Sequence, residues 1–561
     1  MVFAPSPAPS SRESGHVADA ALLLLGGTGF LIGVILWLDN AQGGLTGNGV
    51  FKSMELRPWI DDPANAPLYP ANFLFYPVYG ALCRVLDGLG VFAGDPRRQI
   101  AVLNAASAGL CLVAVYLMAR RLTEDRAIAL LAALFHGACS FVLLLAITNE
   151  DIMPSYTLTF ASMALAAVWF AAPSAPRVVA VAALFSLGWL FEWRLMFPTL
   201  PAMLLALWLC EARPRHRVLW PALFVSTMAA CASIAALAAS GHPGAVGPLG
   251  LLWTGKAVIS VWAGFSSAKV GYLWDGMAAY LLGTGLTRVL GAAGWDTWRV
   301  LSLAAAAAIA AAALRLAWPR RHDSRVRAPL AVFGGTFVAG EIFNLYAQPQ
   351  DPQMQVNVMA WLTMGWVLAL VAARRRWGIR GLAIAGGATM LLLTHNLWSL
   401  APLRGQDTKW RHTVERLERE ADPSRTVFLL HDFDWTMVHA ALHWGLAEPG
   451  SETLGPAPQA RPRFKWIGFT GDVLRHPDWT VERQVAALRD QIDRALALGY
   501  DVLVVRLWGM SLGELETATG MIASSRQLEA LRALLHERYT ATPAFDDPMA
   551  GPVHRLRPAA R

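Results

Sequence analysis

Charge is scarce in this sequence. Asp, Glu, Lys and Arg make up 16% of its 561 residues, where a soluble domain carries about 25%. That scarcity excludes an ordinary soluble chain. Cysteine is scarce too: there are five, and none lies beyond Cys231. The polar C-terminal region therefore has no disulfide framework. That region also lacks a glycine-rich phosphate loop, a metal-ligand pattern and a nucleophile elbow. The formal charge of +7 does not point to nucleic acid, because the arginines fall in short clusters between apolar runs.

What the chain has instead is apolar length. Hydrophobic residues make up 55% of it, gathered in repeated runs long enough to cross a bilayer. Met1 to Val17 reads as a disordered, Pro- and Ser-rich tail on the cytoplasmic side. Ala20–Leu38 reads as a retained first span, since no small-residue cleavage site follows it. Asp39–Pro67 reads as a polar loop, and the Pro-interrupted stretch from Leu68 to about Val91 as a re-entrant or interface-lying helix. Further spans are expected at 100–119, 127–147, 155–172, 178–191, 198–209, 218–239, 300–317, 329–343, 358–373 and 382–400. The total is about eleven. The segment 240–298 is rich in Gly and Trp and is expected to hold surface-lying helices. The membrane region is thus 18–404, with outer loops at 39–99 and 240–298.

The arginine clusters set the orientation. Arg120 and Arg121, Arg177, the 213–217 group, the 320–327 group and Arg374–Arg376 place their loops, and the N-terminus, in the cytoplasm. The intervening loops then face outward together. They carry Asp39, Glu150, Asp151, Glu192 and Arg194, with Lys256 and Lys269 in the long loop. Asn40, Gln42, Tyr69, Tyr346, Gln348, Gln350 and Asp351 join them on the same side. Carboxylates gathered at one membrane face with a lone short-loop arginine suggest a site for an anionic, lipid-linked substrate. Plainer readings exist for each residue. Asp39 and Asn40 could merely mark the water interface. Asp151 could cap the next helix, which has Pro154 in its first turn. Arg194 could snorkel or pair with Glu192.

From about Gly405 the charge rises and the apolar runs shorten. Thr426–Leu430 and Asp501–Val505 read as buried strands, and 481–498 and 527–538 as amphipathic helices. Residues 405–561 are therefore expected to form a soluble α/β domain, extracytoplasmic because the span count is odd. His431, Asp432 and Asp434 end the first strand, a place where sites often form.

The order of these motifs resembles the GT-C glycosyltransferases, in particular the family 39-like branch of protein O-mannosyltransferases and lipid A aminoarabinose transferases. That branch has a carboxylate after its first span, matched by Asp39-Asn40. Its juxtamembrane helix opens with a Pro-Pro-Leu-like motif, resembled by Ala66-Pro67-Leu68-Tyr69-Pro70. Ala119-Arg120-Arg121-Leu122 and Glu150-Asp151 match a span end and a second acidic position. Tyr346, Pro349 and Pro352 resemble a later Tyr and its spaced prolines. Asn40 departs from the usual second acid, and Gln348, Gln350 and Gln353 from expected basic or aromatic residues.

The resemblance implies a mostly α fold, a polyprenyl-phosphate-linked sugar as donor and an extracytoplasmic glycan, lipid or protein as acceptor. It implies an inverting transfer in the cell membrane with no nucleotide cofactor. More distant GT-C members use a divalent metal, but the sequence shows no closed set of ligands, so no metal is expected. The arginine pattern gives no nucleic-acid partner. Asp39 would be the base, and Asp151 or Glu150 would orient the acceptor. Arg194 would meet the donor phosphate, with Lys256 and Lys269 in reserve. Asn40, Gln42, Tyr69, Glu192, Tyr346, Gln348, Gln350 and Asp351 would contact substrate. A transporter of lipid-linked sugars would also use ionisable residues facing a cavity, but it would show inverted repeats and mid-span charges. A non-catalytic subunit with an outer binding domain is the remaining reading, which Asn40 keeps open.

Overall fold

The computed structural model describes residues 13–39, 48–69, 72–211, 213–253, 264–265, 267–285, 292–320, 322–347, 355, 357–422, 424–430, 465–470, 476, 479–518 and 524–559. The chain divides into two units: Met1–Gly43 with Glu55–Arg404, and Gly44–Met54 with Gly405–Arg561.

The first unit is a multi-pass helical membrane bundle. Among the described residues, seven helices are long and apolar enough to span, and a pair bent by 71° makes an eighth. In order come α1 (Glu13–Leu38), α2 (Asn48–Asp61), α3 (Phe75–Gly88), α4 (Pro96–Thr123), α5 (Arg126–Ala138), α6 (Ser140–Ala146), α7 (Ile152–Trp169), α8 (Ala175–Phe191), α9 (Met196–Cys210) and α10 (Pro214–Ala238). The bent pair is α5 and α6. Helices α8 and α9, shorter than a usual span, occupy the places of two expected crossings. Later come Pro248–Trp253, Ser267–Ala278, Ala292–Ala317, Gly335–Tyr346 and Met359–Leu400.

The helix ends follow from the sequence. Asp95 caps α4 by accepting from the Arg98 amide, with Pro96 in its first turn. Arg120 and Arg121 complement the negative end of its dipole, and Glu124 closes it in the left-handed region. Asp125 caps α5 through the amides of Ala127 and Ile128 at 2.9 and 3.2 Å.

Two differences from the sequence reading concern the N-terminal third. Helix α1 begins at Glu13, inside the expected tail, and brings Asp19 against Tyr116 and Arg126 at 2.6 to 2.7 Å. Asp19 is 2% exposed; pairing compensates a carboxylate that would otherwise mark the end of the helix. The expected loop 39–67 contains α2. Leu56 and Trp59, three apart, are buried on one of its faces. The Trp59 indole donates to the Pro67 carbonyl at 3.0 Å. Gly80 of α3 lies so close to Trp59 that a Cβ there would meet the Trp59 side chain at 2.7 Å.

The helix Met359–Leu400 is two crossings. Gly378 breaks it with φ 60° and ψ −137°, a conformation open mainly to glycine. Thr363, before the break, lies 2.7 Å from the ring of His136. Asn396, after it, donates to the carbonyl of Ala138 at 2.6 Å. Both ends therefore return to one end of α5, and the segment is a helical hairpin.

In the second unit a five-stranded sheet has the order β2-β1-β3-β5-β4. Its strands are β1 (Thr426–Leu430), β2 (Lys465–Gly468), β3 (Asp501–Val505), β4 (Tyr539–Asp547) and β5 (Gly551–Pro558). The first three pair in parallel, and β3–β5 and β5–β4 pair antiparallel. Helices Val481–Ala497 and Ser525–Arg538 supply Leu488, Ile492, Leu528, Leu531 and Leu535 to its core. Thr480 and Ser524 cap them, the latter in a full capping box with Gln527.

Candidate active site

The acidic residues selected from the sequence stand at helix ends. Asp39 ends α1 in the left-handed conformation, φ 44°, which Asp tolerates better than most residues. Its carboxylate accepts from Arg98 at 2.8 Å. Arg98 also lies 3.6 Å from Asp95 and over the Phe92 ring. Asp39 and Arg98 are both substantially solvent-exposed.

Asn104, about one and two-thirds turns beyond Arg98 on α4, leads to a second group of acids. Its amide nitrogen donates to the carbonyls of Thr148 and Glu150, at 2.8 and 2.5 Å. The Tyr79 hydroxyl donates to its oxygen at 2.7 Å. This holds the turn between α6 and α7, where Asn149, Glu150 and Asp151 are all buried. Asp151 occupies the N-cap position of α7, but its side chain makes no capping bond. It accepts from Asn72 instead.

Glu192, at the end of α8, wraps the residue two ahead of it. One carboxylate oxygen accepts from the Arg194 backbone at 2.8 Å, and the other from the guanidinium at 2.6 Å. The same guanidinium stands 3.9 Å from Asp151. Arg194 thus holds two buried carboxylates together. Burial pushes the Glu192 carboxyl above its usual range, and the Asp151 charge adds to the rise, against the lowering effect of Arg194. Helices α7 and α8 approach closely here: a Cβ at Gly188 would meet Thr159 at 2.7 Å.

Beside this group, Tyr76 donates to Glu55 of α2 and packs against Tyr69, with ring centroids 4.8 Å apart. Burial raises both phenols above their usual range, and the Glu55 carboxylate raises them further.

The structure therefore joins Glu150, Asp151, Glu192 and Arg194, and places Tyr69 against Tyr76. Asp39 makes its own pair with Arg98. Lys269 is elsewhere: its ammonium donates to the carbonyls of Gly264, Tyr346 and Ala347 at 2.8 to 2.9 Å, and burial lowers its pKa. Its charge complements the C-terminal end of helix Gly335–Tyr346. Asn40, Gln42, Lys256, Gln348, Gln350 and Asp351 lie outside the described residues, as do His431, Asp432 and Asp434.

Four residues of this region escaped the sequence reading. Arg98 is a single cation beside an apolar run, and nothing local marks its pairing with Asp39, 59 positions away. Asn72, Asn104 and Glu55 carry no local signal, because their partners are distant in sequence. Among the described residues, no group of three or more His, Cys, Asp or Glu is arranged to hold a metal ion.

No family model matches this sequence, and no curated protein is similar to it. Solved structures are similar. The chain aligns with ArnT from Cupriavidus metallidurans in the apo state at a TM-score of 0.51 and 14% identity, over 97% of this chain and 98% of that one. Against ArnT from the same organism bound to undecaprenyl phosphate, the TM-score is 0.47 and the identity 12%, with the same coverage. The likeness to the apo structure extends across both units, and the chain shares the fold of that structure, a membrane helical bundle followed by a small α/β domain.

Proposed function

We propose that this protein is a membrane glycosyltransferase that moves a sugar from a polyprenyl-phosphate donor to an extracytoplasmic acceptor. The observation that carries the reading is the Asp39–Arg98 pair at 2.8 Å. Arg98 lies on α4, the helix whose Asn104 organises the Glu150–Asp151 turn. A carboxylate and a guanidinium, both partly open to solvent, supply the base and the anion partner that such a transfer needs.

In this mechanism the acceptor hydroxyl attacks the anomeric carbon. The bond from that carbon to the phosphate oxygen breaks, and the hydroxyl proton passes to Asp39. The polyprenyl phosphate leaves with the electron pair. Arg98 uses part of its five-donor fork on Asp39 and offers the rest to the leaving phosphate. Arg194 is the counter-charge that keeps Asp151 and Glu192 in place, while Glu150 and Asp151 line the acceptor side. The mechanism requires no nucleotide. On this reading the acidic ends of the bundle and the unit 405–561 lie outside the cytoplasm, and the N-terminus inside.

The test is release of undecaprenyl phosphate from undecaprenyl-phosphate-linked sugars by purified protein, with Asp39→Asn as control. Release that depends on an acceptor and is lost in Asp39→Asn supports the reading. Equal release by the variant overturns it.

A further inference from the structure

We propose that Asn149 binds a hydroxyl of the donor sugar, forming a neutral polar subsite beside the acidic turn. This rests on the glycosyltransferase reading and adds to it the residue that recognises the sugar ring.

Asn149 is 0% exposed. Among the described residues, neither its side-chain nitrogen nor its oxygen has a hydrogen-bond partner. Leaving such groups unsatisfied is costly, and a native chain tolerates it where something other than the protein completes the bonds. The surrounding turn is not loose. Asn104 donates to the carbonyls on both sides of Asn149, those of Thr148 and Glu150. Tyr79 fixes Asn104 in turn. The next acid along, Asp151, is held by Asn72 and Arg194. The turn is clamped on either side of an amide whose own bonds are unmade.

The chemistry of that amide selects its ligand. It presents donors and an acceptor without charge, which suits hydroxyl groups. Two carboxylates follow it directly in the chain, so a phosphate there would meet repulsion. A metal cation would meet the amide hydrogens and would need several oxygen ligands. A hydroxyl-bearing ring satisfies the amide as both donor and acceptor. The transferred sugar is the one such ring that every reaction of this class must bind.

The experiment measures binding of undecaprenyl phosphate and of its glucose, mannose and aminoarabinose conjugates to the purified full chain. Wild type is compared with Asn149→Leu and the smaller Asn149→Ala, and the melting temperature of each is recorded. Wild type should bind at least one conjugate more tightly than undecaprenyl phosphate. Both variants should keep their affinity for undecaprenyl phosphate and lose about tenfold or more for that conjugate. A sugar-dependent gain that survives in the variants overturns the subsite and leaves the donor reading standing. Loss of both affinities together with a lower melting temperature assigns Asn149 to the fold and overturns the subsite. Failure of wild type to bind any of these lipids overturns the donor reading, and the subsite with it.

Discussion

The amide nitrogen of Asn104 stands 2.5 Å from the carbonyl oxygen of Glu150, across 46 positions of sequence. The same nitrogen reaches Thr148, so one fully buried side chain fixes the turn from which the second acidic group starts. Asn104→Ala would take a donor from two buried carbonyls and leave the Tyr79 hydroxyl only its longer, 3.5 Å contact with Ser107. It should destabilise the protein by about 2–4 kcal/mol, seen as a lower melting temperature in detergent. Sugar transfer should fall with it, because Asp151 is displaced.

Asp39 and Arg98 predict the opposite division between stability and activity. Their pair is solvent-exposed, and such pairs contribute about 0–1 kcal/mol. Asp39→Asn and Arg98→Ala should therefore melt close to wild type. Asp39→Asn should lower the transfer rate by about 10²-fold or more, the lower end for loss of a general base. Arg98→Lys should retain more activity than Arg98→Ala, since the charge persists without the fork. Near-normal transfer by a folded Asp39→Asn protein would remove Asp39 from the mechanism.

Asp547 gives a pH prediction for the second unit. Burial pushes its carboxyl up, but the Ala550 amide, the Thr413 hydroxyl, the Met549 amide and Arg416 outweigh it and hold the carboxyl below the usual range. A depressed folded value means the stabilisation is fully present above the unfolded Asp value of about 3.9 and is lost as pH falls through the folded value. Asp547→Asn should cost about 1–2 kcal/mol at neutral pH. It should also flatten the acid limb of the unfolding profile of this unit. An unchanged acid limb would mean that other carboxylates dominate it.

How much of this was legible in the sequence depends on the range of the interaction. Asp39, Asp151 and Glu192 could be read as acids at the ends of apolar runs, because burial in a bilayer is a property of each run by itself. The buried strands β1 and β3 were equally plain, being unbroken apolar stretches. Strands β4 and β5 were not. Each mixes exposed and half-buried residues, and β4, which contains Pro543, lies at the sheet edge, where proline is tolerated. The bond from Asn72 to Asp151 spans 79 positions, and no periodicity encodes it. Arg194 was legible as a cation, but its sharing between Glu192 and Asp151 depends on α7 and α8 meeting at Gly188.

That sharing supplies the last prediction. Arg194 is mostly buried, 15% exposed, between two carboxylates that are 1% and 0% exposed. Arg194→Ala would leave both charges without their guanidinium, a change that costs about 3–5 kcal/mol for a buried pair. Its melting temperature should fall well below that of Arg98→Ala. Glu192 adds a pH signature. Its folded value lies above the ordinary one because burial and Asp151 outweigh Arg194. The sign follows: its contribution is present below the unfolded Glu value of about 4.3 and is lost as pH rises through the folded value. Glu192→Gln should remove that decline, leaving a flatter stability profile on the rising-pH side. A donor-phosphate role for Arg194 makes a different forecast. Arg194→Ala would then weaken use of the lipid-linked donor while the melting temperature stayed near wild type. Measuring melting and donor dependence on the same purified variants decides between them. The guanidinium's bond to Glu192 and its contact with Asp151 predict that melting moves first.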